Sequence, residues 1–441
     1  MTRSRVAWAL TAVLAAGAAT PDQEDVSALS WRPPALPLEA PGELIVQFRE
    51  GAREADVARM IRGVGGERAR QSAFSPRYLV RLLAGLPVAE SVERLRALPE
   101  VAFAEPNGIL RATQSRFTPD DAGFSRQWHF KVLDAERMWA IQKGDPSVVV
   151  AVLDTGIAYE DFGPYRKAPD FATTVFVPGF DFVNDDDHPN DDNFHGTHVA
   201  ATIAESTNNG QGVAGLAFGC ALMPVKVLDA RGLGTDFAIA EGIQFAARDR
   251  RVKVINLSLG GAFSESVRQA VDAAERAGVT VVAAAGNDAG QAVVFPAALP
   301  SVVAVGAVDG RRVRAAYSNT GSALDVVGPG GDLDRDDTGP DLRPDGQPDG
   351  VLQQTFDPQT ASRTGRYDDF RLFWVAGTSQ ATAHVSALAA LLVRQGITEP
   401  QSVRAAIEAT AQDLGTPGRD DEYGHGLIRP AAALSGLGLT R

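Results

Sequence analysis

SVVVAVLD, residues 147–154, is an apolar run closed by a carboxylate. Its apolar positions follow one another without the in-and-out alternation of a half-buried strand. A short run of this kind, rich in β-branched residues, is expected of a strand covered on both faces. Four more runs repeat the pattern: ALMPVKVLD at 221–229, VKVINLSLG at 252–260, VTVVAAAGN at 279–287 and VVAVGAV at 302–308. Segments of helical character lie between or after several of them: HVAATIAES (198–206), TDFAIAEGIQFAARD (235–249) and ESVRQAVDAAERAG (265–278). Strands alternating with helices predict an α/β fold, a doubly wound and mostly parallel sheet. In such sheets, sites collect at the carboxyl ends of the strands. The residues there are Asp154, then Ser258-Leu259-Gly260, then Gly286-Asn287.

Ahead of this unit the pattern is different. ELIVQFR (43–49) alternates like a strand and ADVARMIRGVG (55–65) has helical spacing; ERARQSAF and RYLVRLL look like paired strands, PVAESVERLRALP like a helix, VAFAEPN like a last strand. The order β-α-β-β-α-β is the split βαβ of a small ferredoxin-like α+β domain, placed at 42–112. Before it, SWRPPALPLEAPG reads as an extended linker within 20–41. The first nineteen residues carry two arginines, a short apolar run and Ala16-Gly17-Ala18, the pattern of a cleaved secretory signal peptide. The apolar run is short for a bilayer, so no stable membrane span is expected after its removal.

A net charge of −13 without clustered Lys and Arg argues against nucleic acid as a partner. The single cysteine, Cys220, rules out an intramolecular disulfide, and its apolar setting reads as core.

Four residues carry candidate chemistry. Asp154 precedes a Thr-Gly turn; His195 opens HGTHVAATIAE; Asn287 closes AAAGN; Ser379 stands in GTSQATAHVSALAALL, at the mouth of a helix of small residues. Each has a bland reading: a turn carboxylate, a buried imidazole, a turn amide, a helix N-cap. Together they make a set for acyl transfer. A hydroxyl nucleophile needs an imidazole to take its proton, and the imidazole needs a carboxylate to fix its tautomer. The tetrahedral intermediate needs donors for its oxyanion, which an Asn amide and a helix N-terminal N–H supply.

These stretches (VAVLDTGI, HGTHVAATIAE, INLSLGG, AAAGN and GTSQATAHVSALAALL) resemble the subtilisin-like serine proteases, the subtilases, and in particular their thermitase-like branch. The resemblance runs over roughly residues 117–435 of a catalytic unit placed at 117–437, and the chain order Asp, His, Ser is that of subtilisin. It implies that Asp154, His195 and Ser379 are catalytic, that Asn287 binds the oxyanion, and that His198 and His384 are structural. It implies that Ser258, Leu259 and Gly260 pair with the substrate backbone as an added strand; Asp288, next to the oxyanion Asn, reads as an exposed turn carboxylate, with a place near the first specificity pocket as the alternative. The small domain is implied to be an inhibitory propeptide removed by autoprocessing. Gln380, Ala383 and Ala201 stand where the family commonly has Met, Pro and Gly.

The resemblance also implies structural calcium. DFVNDDDHPNDDN (181–193) crowds carboxylates that a cation would relieve, with Asp181, Asn184, Asp186 and Asn190 as candidate ligands. A second site is implied at Asp121, Asn209 and Gln211, with Asp170 and the carbonyls of Ser206 and Val213. An acidic insertion at 331–373 contains Asp341, Asp345 and Asp349 with Gly346 and Gly350, an echo of a calcium loop in which Arg343 takes a ligand position. The expectation is an exported, monomeric, calcium-stabilised serine endopeptidase made as a zymogen. Its partners would be protein or peptide substrates and its own propeptide as inhibitor. The alternatives are a non-catalytic peptide-binding module and a protease dedicated to maturing one partner.

Overall fold

In the computed structural model, Val149–Asp154 is a strand in which every residue is buried. It lies inside a seven-stranded sheet whose order is Val326–Pro329, Val302–Val308, Thr280–Ala284, Val252–Leu257, Val149–Asp154, Ala221–Lys226, Phe180–Asp181. All six pairings are parallel. The structure describes residues 14–15, 39–49, 51–73, 75–108, 116–335 and 346–436.

The order explains where a cleft can open. From Val149–Asp154 the chain adds strands on one side and then crosses to Val252–Leu257 on the other. The strand order therefore reverses at Asp154, and a crevice forms where neighbouring connections diverge. Helix Thr378–Arg394 lies against five strands and the His195–Ala204 helix, and all its residues from Thr378 to Val393 are buried. Ala and Ser at its surface allow that close approach. Helix Glu265–Arg276 is amphipathic instead and buries only Val267, Ala270, Val271 and Ala274, an i, i+3, i+4, i+7 stripe.

The expected acidic insertion is largely a folded element. Val351–Phe356 and Phe370–Val375 pair antiparallel, in register from Val351 opposite Val375 to Phe356 opposite Phe370. Helix Pro358–Thr364 bridges them, capped by the Asp357 carboxylate on the N–H groups of Gln359 and Thr360. Phe356 and Phe373 are each 1% exposed, so this hairpin is held by apolar packing. Asp341, Arg343 and Asp345 lie outside the described residues, and Asp349 is buried. Leu14–Ala15 pairs with Trp374 and Phe373; the rest of the expected signal peptide, and the linker up to residue 38, lie outside the described residues.

The second compact unit falls within Pro21–Gln114. Its antiparallel sheet runs Gly66–Gln71, Arg77–Leu82, Glu39–Phe48, Val101–Gly108, with helices Glu54–Gly63 and Val88–Arg96. The period-2 set Leu44, Val46, Phe48 meets Val57 and Ile61 of one helix and Val92 and Leu95 of the other in a single core. This is the predicted β-α-β-β-α-β order. The first strand starts earlier than expected, because Glu39 already pairs with Gly108 inside what had read as linker.

Candidate active site

The carboxyl end of Val149–Asp154 delivers Asp154 to the crevice, fully buried. Its Oδ1 accepts the Thr155 N–H at 2.7 Å and lies 2.7 Å from His195 Nδ1. A carboxylate only accepts, so Nδ1 carries the proton and Nε2 keeps its lone pair. Burial pulls the His195 imidazole down, but the charge and hydrogen bond of Asp154, with Asp191 further off, outweigh it and hold His195 above its ordinary 6.5.

The sequence around His195 fixes the helix it opens. His195 N–H donates to Asn193 Oδ1 at 3.3 Å, Gly196 N–H to Thr155 Oγ1 at 2.9 Å, and Thr197 N–H to Asp191 Oδ2 at 2.9 Å. Asp191, 1% exposed, also accepts from the hydroxyls of Thr155 and Thr197 and the N–H groups of Asn193 and Phe194. Gly196 admits no side chain: a Cβ there would stand 2.1 Å from the Gly156 carbonyl.

Ser379 sits in the first turn of Thr378–Arg394, and its hydroxyl donates to the Ser258 carbonyl at 3.2 Å. Asn256 and Ser258 support that contact. Asn256 Nδ2 donates to Ser258 Oγ, and Ser258 Oγ donates to the Ser379 carbonyl. Asn287 is oriented by Thr378. Its Oδ1 accepts both the Thr378 N–H at 3.0 Å and the Thr378 hydroxyl at 2.9 Å. Two donors on one atom identify it as the oxygen, which leaves Nδ2 as the free end. Among the described residues no acceptor takes the Ser379 N–H. His195, Ser258, Leu259, Gly260, Asn287 and Ser379 all line one cavity of about 360 Å³. Gly260 has no room for a side chain, since a Cβ would meet Val294 at 2.3 Å. Asp288 turns to Asn319, whose Oδ1 accepts its N–H at 2.8 Å.

His198 and His384 are buried and neutral, as expected of structural imidazoles; burial lowers them to about 3 and about 4. His384 Nδ1 donates to the Gln380 carbonyl at 2.8 Å, and His129 Nδ1 then donates to His384 Nε2 at 2.9 Å. Gln380 is buried, 3.5 Å from His198 Nδ1, and lines the cavity. Cys220 is buried too, its thiol pushed up to about 12. Lys226 was missed by the sequence reading, although a lysine inside an apolar strand is a signal. It is buried, with Nζ donating to Thr155 O at 2.7 Å, Asp192 at 2.6 Å and Leu228 O at 2.9 Å.

The candidate calcium ligands fall into two groups. Asp121 and Asp170 are buried and joined by Asn209, whose N–H faces Asp121 at 3.3 Å and whose Nδ2 donates to Asp170 at 2.8 Å. The Gln211 side chain is exposed, while its N–H donates to Asn209 Oδ1. Glu205, not foreseen from the sequence, is buried beside them and its Oε2 has no hydrogen-bond partner among the described residues. Burial raises all three acids, Asp170 to about 6 and Glu205 well above the usual carboxylate range. In the other group Asp181 accepts from Asn184 Nδ2 at 2.8 Å, and its backbone bridges Asp186. Asn190 turns its Nδ2 to Glu160 and leaves its buried Oδ1 unpartnered among the described residues. Among the described residues no three His, Cys, Asp or Glu side chains group closely enough to hold a metal alone. A cation at either place would therefore draw on amide and carbonyl oxygens as well, donors that suit calcium.

Comparison with known proteins bears on the same residues. The profile of the subtilase family matches residues 145–426, and that of the fervidolysin N-terminal prodomain matches residues 40–107. A thermophilic serine proteinase of Bacillus sp. (strain AK1) is 35% identical over 385 residues, 87% of this chain and 85% of the relative. Thermitase of Thermoactinomyces vulgaris is 36% identical over 304 residues, 68% of this chain and 94% of the relative. Among solved structures, a protease of Pseudoalteromonas arctica superposes with a TM-score of 0.62 at 31% identity, covering 73% of this chain and 99% of that one.

Proposed function

Because the chain belongs to the subtilase family and is a serine endopeptidase with an N-terminal prodomain, we propose that it cleaves peptide bonds through Ser379, His195 and Asp154. The observation that carries the assignment is the 2.7 Å contact between Asp154 Oδ1 and His195 Nδ1, in a cavity that Ser379 also lines. The Ser379 hydroxyl turns from the Ser258 carbonyl to His195 Nε2, which takes its proton as Oγ attacks the scissile carbonyl. Asp154 stabilises the imidazolium. Asn287 Nδ2 and the Ser379 N–H hold the oxyanion. His195 then protonates the leaving amine, and water releases the acyl group by the same path. Ser258, Leu259 and Gly260 align the substrate as a strand, so main-chain contacts carry much of its binding.

The prodomain acts on this reading as an inhibitor removed by the enzyme itself, and the mature chain works outside the cell. The N-terminal signal pattern supports export, as does a 30% identical relative, covering 95% of this chain, named extracellular protease of Xanthomonas campestris pv. campestris. Among the described residues no helix is long and apolar enough to cross a membrane. Calcium bound near Asp121, Asp170 and Asn209 would compensate carboxylates that burial otherwise penalises. A chelator should then lower the melting temperature of the wild type, and Asp170→Asn should reduce that dependence.

The test of function follows chain mass in wild type and Ser379→Ala expressed side by side with calcium. The wild type should lose its N-terminal unit while the variant stays full length and inactive. Equal peptide hydrolysis by a folded Ser379→Ala would refute the assignment.

A further inference from the structure

Phe194, the residue before His195, has φ 109° and ψ −25°. The other five non-glycine residues with positive φ among those described lie between 50° and 66°, inside the left-handed well. Phe194 is outside it, in a conformation a bulky residue does not adopt unless its surroundings impose it.

Those surroundings come mostly from the hairpin. The Phe194 ring, 8% exposed, packs with Phe356, Ala361, Phe373 and Val375. Its carbonyl accepts the hydroxyl of buried Thr355 at 2.9 Å and the His198 N–H at 3.2 Å. The hairpin also grips the next turn: His198 Nε2 faces the carbonyls of Val351 at 3.1 Å and Phe373 at 3.3 Å. It thus holds the residue before the base and the residue three after it.

We infer that the hairpin of residues 351–375, acting through Phe194 and Thr355, sets the backbone that aims His195 at Ser379 and Asp154. Phe194 and Thr355 are positioning residues: Phe194 borders the cavity beside His195, and among the described residues neither hydrogen-bonds to Asp154, His195 or Ser379. The inference rests on the reading of His195 as the catalytic base.

Thr355→Val keeps the shape and removes the hydroxyl donor. Phe194→Gly permits the same backbone without strain but removes the anchoring ring. Both are assayed well below their melting temperatures, with active sites counted by titration. Each should lower kcat between about tenfold and a hundredfold with KM within about twofold. Each should also move the acid limb of kcat/KM to lower pH, because a loosened His195 loses part of the Asp154 effect that holds it up. Melting temperatures that fall while kcat and the acid limb stay at wild-type values in both variants would overturn the inference and leave the hairpin a structural brace. His195→Ala with wild-type hydrolysis would overturn the base assignment itself, a failure separable from the hairpin's.

Discussion

The helix that begins at His195 has its first N–H groups taken by Asn193, Thr155 and Asp191, with Phe194 receiving the fourth from His198. The helix that begins at Thr378 commits one N–H to Asn287 and leaves that of Ser379 without an acceptor among the described residues. A helix start always presents donors; what differs is where they go. Beside the proposed base they fix a side chain that must not move. Beside the proposed nucleophile one is left for a charge that would exist only during reaction, where an unmatched donor aids the transition state more than the ground state.

The largest expected effect tests the fixed side. Asp154→Asn presents an amide N–H to His195 Nδ1 and favours the tautomer that cannot act as base, so kcat should fall about 10⁴-fold with KM little changed. On the open side, Asn287→Ala should lower kcat about 10² to 10³-fold, again with KM nearly constant. A rise in KM at unchanged kcat would mean that Asn287 binds ground states, and the contrast between the helices would be lost.

Asp191→Ala should cost about 3 kcal/mol in a denaturant titration, since it strands several buried donors at once. An equal loss of stability in Asn287→Ala would make both helix starts structural and break the comparison.

The smallest effect concerns pH. His195 sits above 6.5, and only its neutral form is a base, so kcat/KM should fall as pH drops through a midpoint above 6.5. In the residual activity of Asp154→Asn that midpoint should move down, because burial is then opposed only by the more distant Asp191. Stability has the opposite sign: a raised histidine stabilises the fold fully below its unfolded pKa, and that contribution is lost as pH rises through the folded value.

Strand runs and the candidate catalytic residues could be picked out in the sequence because each is local. Val149–Asp154 needs only its own composition to read as a covered strand, and Asp154, His195, Asn287 and Ser379 stand in compact stretches. What was not legible depends on distant partners. Thr378 orients Asn287 from 91 residues away, and Thr355 reaches Phe194 across 161. Nothing in the residue type of Phe194 announces a φ of 109°, where glycine would be the natural expectation. Glu205 follows an apolar helix and reads as its solvated end, yet the fold buries it against Asp170. The hairpin within the insertion was not foreseen for a related reason. Its acidic first half resembles a loop, whereas Val351–Phe356 and Phe370–Val375 acquire meaning only as a pair.

The central claim, that Ser379 is the nucleophile, is tested most directly by treating the matured wild type with a serine-directed phosphonylating probe and mapping the adduct by mass spectrometry. The account predicts one adduct, on Ser379, forming at a rate that follows the His195 midpoint and absent from His195→Ala. An adduct on another residue, or a fully active enzyme that forms none, would contradict it.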